Sequence, residues 1–402
     1  MAAEKKLASA ASPADQIAPN PNLGTININS NTACNGANPF DNLGVLNNNG
    51  TLTNGSNVSS FPDVATLNNY GMLNNNGTLT NGGFFPSLLG TLNNYGTLNS
   101  NGTIRNDREL TNHGTSNNNG DLYYLAVFPG FANNGTLNNN GNLSSFAVMS
   151  NNGTLINEGT FGPLDVFFNR GMFVNKGTSF AHLGVNYTGV FMNHGHFVTD
   201  TPFTQSAGTM VNDGTIDVAA AFTSFSIAGG VLQGTGRITI RDVSPEPSPP
   251  LGGVFVNGGT IAPANSTGTL TIDGDLFFNS GTLLTEIAGT SAGPFDLLAI
   301  TGEACFLSAL FAFSFLDGFL PNLGDRWEFL TADGGPTGWE NLGTSFSGLP
   351  SNYGFEITAE NNGLWLSVAA IPEPEIYTMM GIGLGRLGWI RRRKKLKGSA
   401  AA

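Results

Sequence analysis

Gly90-Thr91-Leu92-Asn93-Asn94-Tyr95-Gly96-Thr97-Leu98 sets two glycines six positions apart and places Gly-Thr-Leu at each of them. Its two leucines are an even number of residues apart, so a strand period of two turns both to the same side. The same vocabulary, NNGTL and NNYGTL, recurs from about residue 44 to residue 216. Glycines six apart stand at Gly71 and Gly77, Gly135 and Gly141, Gly153 and Gly159, and Gly171 and Gly177. Gly135 to Gly153 and Gly153 to Gly171 each span eighteen residues, Gly71 to Gly90 nineteen and Gly90 to Gly114 twenty-four. Fixed-period self-similarity of this kind marks a repeat array. Gly, Asn and Thr are poor helix formers, and no apolar stripe of period 3.6 crosses the units, which leaves short strands broken by Asn-Gly corners.

Antiparallel hairpins and a parallel solenoid both use such material. Units of 18 to 24 residues suit one solenoid turn, and stacking turns brings identical residues over one another, Leu in the core and Asn in hydrogen-bonded ladders. Hairpins would set unlike residues opposite. The solenoid is therefore expected, with some ten coils over residues 41 to 240 forming a rod roughly 50 Å long at about 4.8 Å per coil.

Composition agrees with a rod whose surface is polar but barely charged. Of 402 residues 40% are apolar and only 11% charged, and 55 are glycine, against roughly 25% charged residues in ordinary domains. Asn, Thr and Ser must solvate the surface instead, and Gly and Asn accept the backbone conformations of turns. The net charge is -12, yet seven basic residues (Arg386, Arg391, Arg392, Arg393, Lys394, Lys395 and Lys397) crowd at the end. Residues 1 to 371 carry nine basic side chains against twenty-six acidic ones, so a nucleic-acid backbone is repelled and no nucleic-acid partner is expected. Cys34 and Cys305 are too far apart in sequence for a short-spaced metal pair, and whether they form a disulfide is left open. The start, MAAEKKLASAASPADQIAPNPN, has two lysines but no apolar run of secretory length, so we expect a mis-assigned start or a signal already removed.

Toward residue 180 aromatic and sulfur side chains replace asparagine (Val166, Phe167, Phe168, Met172, Phe173, Phe191, Met192, Phe197), which reads as a thicker core. The segment SPEPSPP at 244 to 250 cannot join a ladder readily because proline lacks an N–H. Apolar strands resume beyond it, and their density suggests a cap over the solenoid end. Within them, Gly259-Thr260-Ile261-Ala262-Pro263-Ala264-Asn265-Ser266-Thr267-Gly268-Thr269-Leu270-Thr271-Ile272 resembles the G-x-I-x-P-G-N-S-x-G-T-L-x-I pattern of autotransporter-type β-helices, with Ala264 where that pattern has glycine.

Ile371, Pro372, Glu373, Pro374 and Glu375 are followed by a glycine-rich apolar run, Ile376 to Ile390, and a basic cluster from Arg391 through Arg392 and Arg393 to Lys397. This order is similar to the tripartite PEP-CTERM sorting signal, and the stretch that follows Ile272 to about residue 369, including residues from Leu316 to Ala332, is similar to the segment that commonly precedes such tails. A rigid Pro-Glu-Pro approach, a short membrane segment and a positive stop suit a transient membrane anchor. The resemblance implies recognition by an exosortase-type membrane protease and placement in the envelope or outside Gram-negative, exopolysaccharide-making bacteria.

Enzymatic signals are sparse. Parallel β-helices include polysaccharide lyases and glycoside hydrolases, which need paired carboxylates or a metal beside a base. The densest charged group is Arg105, Asp107, Arg108, Glu109 and His113. Asp107 and Glu109, two apart, would share a strand face, but Arg105 and Arg108 beside them point to a mutually neutralised surface loop. His194 and His196 are also two apart, without an adjoining third ligand. The triplets Asn76-Gly77-Thr78 and Asn152-Gly153-Thr154 formally match glycosylation acceptors, although turn chemistry accounts for them. No catalytic residue, cofactor or metal is expected.

The expected fold is all-β: a parallel β-helix or solenoid, right-handed by expectation, with a C-terminal β cap and a short C-terminal transmembrane or sorting helix. Residues 1–40 are expected to be a partly disordered lead, 41–243 the repeats, 244–250 a loop, 251–370 the C-terminal solenoid and cap, 371–397 the sorting signal and 398–402 a tail. The expected function is that of a non-catalytic secreted or cell-surface structural and adhesive protein associated with extracellular polysaccharide.

Overall fold

The computed structural model describes residues 5–6, 15–16, 20–34, 39–57, 64–82, 88–124, 130–220, 224–242, 252–264, 266–291, 293–350 and 353–369. All regular structure among them is β. Residues 97–114 make one complete coil from three copies of the six-residue unit. Thr97–Ser100, Thr103–Asn106 and Glu109–Asn112 are its strands, and Asn101-Gly102, Asp107-Arg108 and His113-Gly114 its corners. Each strand runs half-buried, buried, half-buried, buried, which is the alternation that a period of two imposes on a one-sided core.

The strands of the repeats pair in parallel with their counterparts one coil away, giving three walls, as Thr97–Ser100 does with Met72–Asn75 and with Thr115–Asn118. In the first wall, nine successive pairings link ten strands from Val45–Asn48 to Val231–Gly234. Thr25–Ile28 and Asn31–Cys34 already pair with the following coil, so the solenoid begins ahead of residue 41. Coils differ in length, with 18 residues between Asn94 and Asn112, 27 between Asn42 and Asn69 and 34 between Arg237 and Thr271. The four-residue strands keep their register, and it shifts at bulges in the long strands Asn142–Asn151, Thr160–Asn169 and Gly253–Pro263.

The hexapeptide also fixes the phase of the stack. The glycine beneath Gly96 is Gly71, not Gly90: a Cβ on Gly96 would lie 2.1 Å from the Gly71 carbonyl oxygen. Gly90 belongs to the third wall, opposite Ala65. The nineteen-residue step from Gly71 to Gly90 thus joins non-equivalent positions, and the true coil there is 25 residues, as between Asn69 and Asn94.

Inward residues build the core. Leu46, Leu73 and Leu98 of the first wall, Leu52, Leu79 and Ile104 of the second, and Leu67, Leu92 and Leu110 of the third are at most 1% exposed. Full burial of each contributes about 1.5–3 kcal/mol relative to exposure. Farther along, one phenylalanine from each wall meets at the axis: Phe161, Phe167 and Phe173 have ring centroids 5.2 to 5.4 Å apart. Phe167, Phe173, Phe191 and Phe197 form this thickened core, whereas Val166, Phe168 and Met192 alternate outward and Met172 is exposed.

The last residue of each strand also points inward, and it is usually asparagine. At the end of the third wall Asn42, Asn69, Asn94, Asn112, Asn133, Asn151 and Asn169 form a continuous ladder, each Nδ2 donating to the next Oδ1 at 2.7 Å. The second N–H of each amide goes to a backbone carbonyl of the following coil, as from Asn133 to Thr154 at 2.9 Å. These buried amides are thereby hydrogen-bonded, as burial demands.

Past the proline-rich segment, which lies outside the described residues, the walls continue. Arg237–Asp242 pairs with Thr269–Asp273, then Leu297–Ile300, then Arg326–Ala332. Ala264, in place of the glycine of the resembling pattern, adopts φ 69°, a left-handed conformation that costs an L-residue roughly 1–2 kcal/mol. The pattern's glycine is thus conformational in origin. The second wall ends under an antiparallel hairpin, Gly354–Glu360 and Gly363–Ala369, with the latter strand against Arg326–Ala332. Leu364 and Leu366 of this hairpin are fully buried, so it covers the core at that end. No described helix is long and apolar enough to cross a membrane. The sorting-signal residues Pro372, Glu373, Pro374, Arg391, Arg392 and Arg393 lie outside the described residues.

Candidate functional site

The third residue of each first-wall strand points outward, two positions ahead of the corner residue. Asn47, Asn74, Asn99, Asn117 and Asn138 occupy the first of these columns, and each Nδ2 donates to the preceding Oδ1 at 2.8 or 2.9 Å. Asn76, Asn101, Asn119 and Asn140 form the second, with bonds of 3.0 Å between them. Both outer columns donate toward the N-terminus, opposite to the inner ladders.

Between the two columns runs an open groove of about 620 Å³, closed at its C-terminal end by Ile156, Glu158 and Lys176. Glu158 and Lys176 are paired at 2.8 Å, so the amide-lined length carries no net charge. Each interior amide uses one N–H and one oxygen lone pair on its neighbours. A second N–H and a second lone pair remain for a ligand. The groove therefore offers alternating donors and acceptors, renewed once per coil at about 4.8 Å.

The opposite edge of the first wall carries an aromatic column. Tyr70 and Tyr95 stack at 4.9 Å, Tyr95 and His113 at 5.0 Å, nearly parallel. Their faces are taken up by one another, so they present edges rather than a flat platform. His113 is thus part of a corner stack and not of a charged cluster.

The other residues singled out in the sequence are spread apart. Arg105 binds Asp107 at 2.9 Å, and the Asp107 side chain is only 7% exposed. Asp107 sits in a corner while Glu109 opens the next strand, so the two do not share a strand face: the corner intervenes. His194 occupies a corner and His196 begins the following strand, and they turn to different carboxylates of the next coil, Asp213 at 3.4 Å and Asp217 at 3.1 Å. Arg241 joins Asp217 at 3.2 Å. Among the described residues no three metal-binding side chains gather. Asn76 and Asn152 are exposed corner residues whose glycines fit against the preceding coil. Cys305 is a half-buried free thiol, and the Cys34 side chain lies outside the described residues.

One carboxyl is strongly perturbed. Asp296 is fully buried and accepts N–H groups from Gly268 at 3.0 Å and Glu286 at 2.8 Å. Burial, which outweighs those two bonds, pushes it up to about 8. It ties backbone together inside the C-terminal region, away from the groove residues. Burial, with the Glu109 carboxylate second, likewise raises the Tyr124 phenol.

No family model matches the chain, and no curated protein matches it.

Proposed function

We propose that the chain is a non-catalytic, secreted or cell-surface rod with a structural and adhesive role, whose first wall contacts an uncharged extracellular polysaccharide. The amide-lined groove carries this reading. Sugars present hydroxyl groups that both donate and accept, which suits a surface of amides with one donor and one acceptor free on each. Individual contacts are weak, and repetition along the rod supplies avidity. The rod's acidity keeps nucleic acid away.

The tail fits the same reading. Pro372, Glu373 and Pro374, the apolar run and the cluster Arg391, Arg392 and Arg393 serve as a sorting signal for an exosortase-type membrane protease, which would deliver the rod to the envelope exterior. A reporter fusion compared with and without residues 372–397 tests this in an exosortase-positive host supplied with an export signal. Loss of envelope retention or processing on deletion is expected, and unchanged behaviour removes the sorting role.

For the groove, the full chain is mixed with native exopolysaccharide and recovered by pull-down at low and high salt. Retention in both is expected, because an uncharged contact is not screened. Failure to retain the polysaccharide at either salt concentration overturns the assignment.

A further inference from the structure

The corners expose the dipeptide Asn-Gly repeatedly, and five of these corners are Asn76-Gly77, Asn101-Gly102, Asn119-Gly120 and Asn140-Gly141, in the column that starts from Asn49-Gly50, and Asn152-Gly153, which follows Asn134-Gly135 in another. Asn-Gly is chemically labile because the glycine nitrogen is sterically free to reach the asparagine side chain. In that reaction the nitrogen loses its proton to base and bonds to Cγ, the Cγ–Nδ2 bond breaks, and Nδ2 leaves as ammonia. Water then opens the resulting cyclic imide at either carbonyl to give aspartate or isoaspartate.

The fold restrains this reaction in two ways. The nucleophile is engaged at all five sites: Gly77, Gly102, Gly141 and Gly153 donate N–H to the preceding coil at 3.0 Å and Gly120 at 3.2 Å. The electrophile is restrained unequally. Asn76, Asn101 and Asn119 each donate Nδ2 to the preceding amide and accept from the following one at Oδ1. Asn140 donates to Asn119, but the next corner residue is Glu158, an acceptor already bound to Lys176. Asn152 donates to Asn134 at 2.9 Å and receives no side-chain donor among the described residues.

We propose that these corners are deamidation sites protected by coil stacking, and that the folded rod ages in an order set by ladder position. Asn140 and Asn152, each at the end of its amide column, convert first. Asn76, Asn101 and Asn119, held on both sides, convert last. A carboxylate formed at Asn140 lies one coil from Glu158, so the first lesion sets like charges side by side at the end of the groove. This inference stands on the corner geometry and does not depend on what the groove binds.

The test is peptide mapping by mass spectrometry, with aspartate and isoaspartate counted at each site during incubation of the full chain at mildly alkaline pH, folded and in urea. In urea the five sites should convert at similar rates. In the folded rod all five should slow, and Asn140 and Asn152 should lead Asn76, Asn101 and Asn119 by about tenfold, because the latter must wait for a local opening. Equal folded rates at the five sites, or faster conversion at Asn101 than at Asn140, overturns the proposal. Asn119→Ala supplies a second arm, since it removes the donor from Asn101. Acceleration at Asn101 with Asn152 unmoved is expected, and an unchanged Asn101 rate counts against ladder protection.

Discussion

Asn133 makes three side-chain hydrogen bonds inside the rod: it accepts from Asn112 at 2.7 Å and donates to Asn151 at 2.7 Å and to the Thr154 carbonyl at 2.9 Å. Asn133→Ala leaves an amide N–H, an amide oxygen and a carbonyl without their partner in a site closed to water. Leaving such groups unpaired costs about 1–3 kcal/mol apiece, and partial relaxation should hold the total near 3 kcal/mol. The drop should appear as a lower urea midpoint. The converse test lies in the first wall, where Ser100 interrupts the inner ladder. Asn75 reaches the Ser100 hydroxyl at 3.1 Å, but the Asn118 oxygen one coil on has no partner. Ser100→Asn should supply the missing donor and raise stability by about 1 kcal/mol, whereas a lower midpoint would show that the coil has closed around serine. Asp296 gives the pH dependence. Its carboxyl rises from an ordinary 3.8 to about 8 in the folded chain, so between those values the native state holds the proton that the unfolded state releases. Stability from this group is therefore fully present below about 4 and falls as pH rises through 8. Urea midpoints at pH 6 and pH 9 should show the decline, and Asp296→Asn should flatten it.

The strand-and-corner hexapeptide is the element on which the fold depends, and its glycine has a steric reason. A Cβ on Gly102 would meet the Gly77 carbonyl oxygen at 2.1 Å, a contact that can be relieved only by parting two coils. Gly102→Ala should therefore cost about 3 kcal/mol, with hydrogen exchange rising first in residues 72–82 and 97–106. No change in exchange there would mean that the corner can swing outward. This element was also the most legible part of the sequence, since even spacing of Leu92 and Leu98 and six-residue glycine spacing lead to short strands, an apolar file and Asn ladders. The coil phase was not legible there. Three near-identical hexapeptides share each coil, so Gly90 and Gly96 look alike to self-similarity, and only the contact of Gly96 with Gly71 separates them. The groove was hidden for the same reason: Asn93 and Asn94 read alike, yet Asn93 faces outward and Asn94 is buried. Which outward asparagines adjoin depends on coil lengths that vary with insertions. A shared strand face for Asp107 and Glu109 fails because a two-residue corner falls at Asp107, where strand periodicity no longer holds, and a corner falls likewise at His194.

Across the whole molecule each coil touches its neighbours alone, so stability is a sum of coil and interface contributions along a line. The outer columns stack amides as far as Asn140 and Asn152, and the inner ladders as far as Asn212. Past them the outer positions carry charge pairs, Lys176 with Glu158 and Arg237 with Asp273, and the core gains aromatic stacks such as Phe203 with Phe225 at 4.7 Å. A line of similar units is vulnerable at its ends, where core and backbone would otherwise meet water. The hairpin over Arg326–Ala332 covers one such end, with Leu366 fully buried and paired opposite Trp327. Leu366→Asp sets a carboxylate into that core, where burial without a partner is strongly unfavourable. In a one-dimensional array the damage should propagate inward only as far as the weakest interface. Hydrogen exchange should rise over residues 297–332 and 354–369, while 97–118 and 136–157 keep their protection. Loss of protection along the entire rod would instead mean that the coils fold as one cooperative unit, and that the cap stabilises the amide-lined groove from the far end of the molecule.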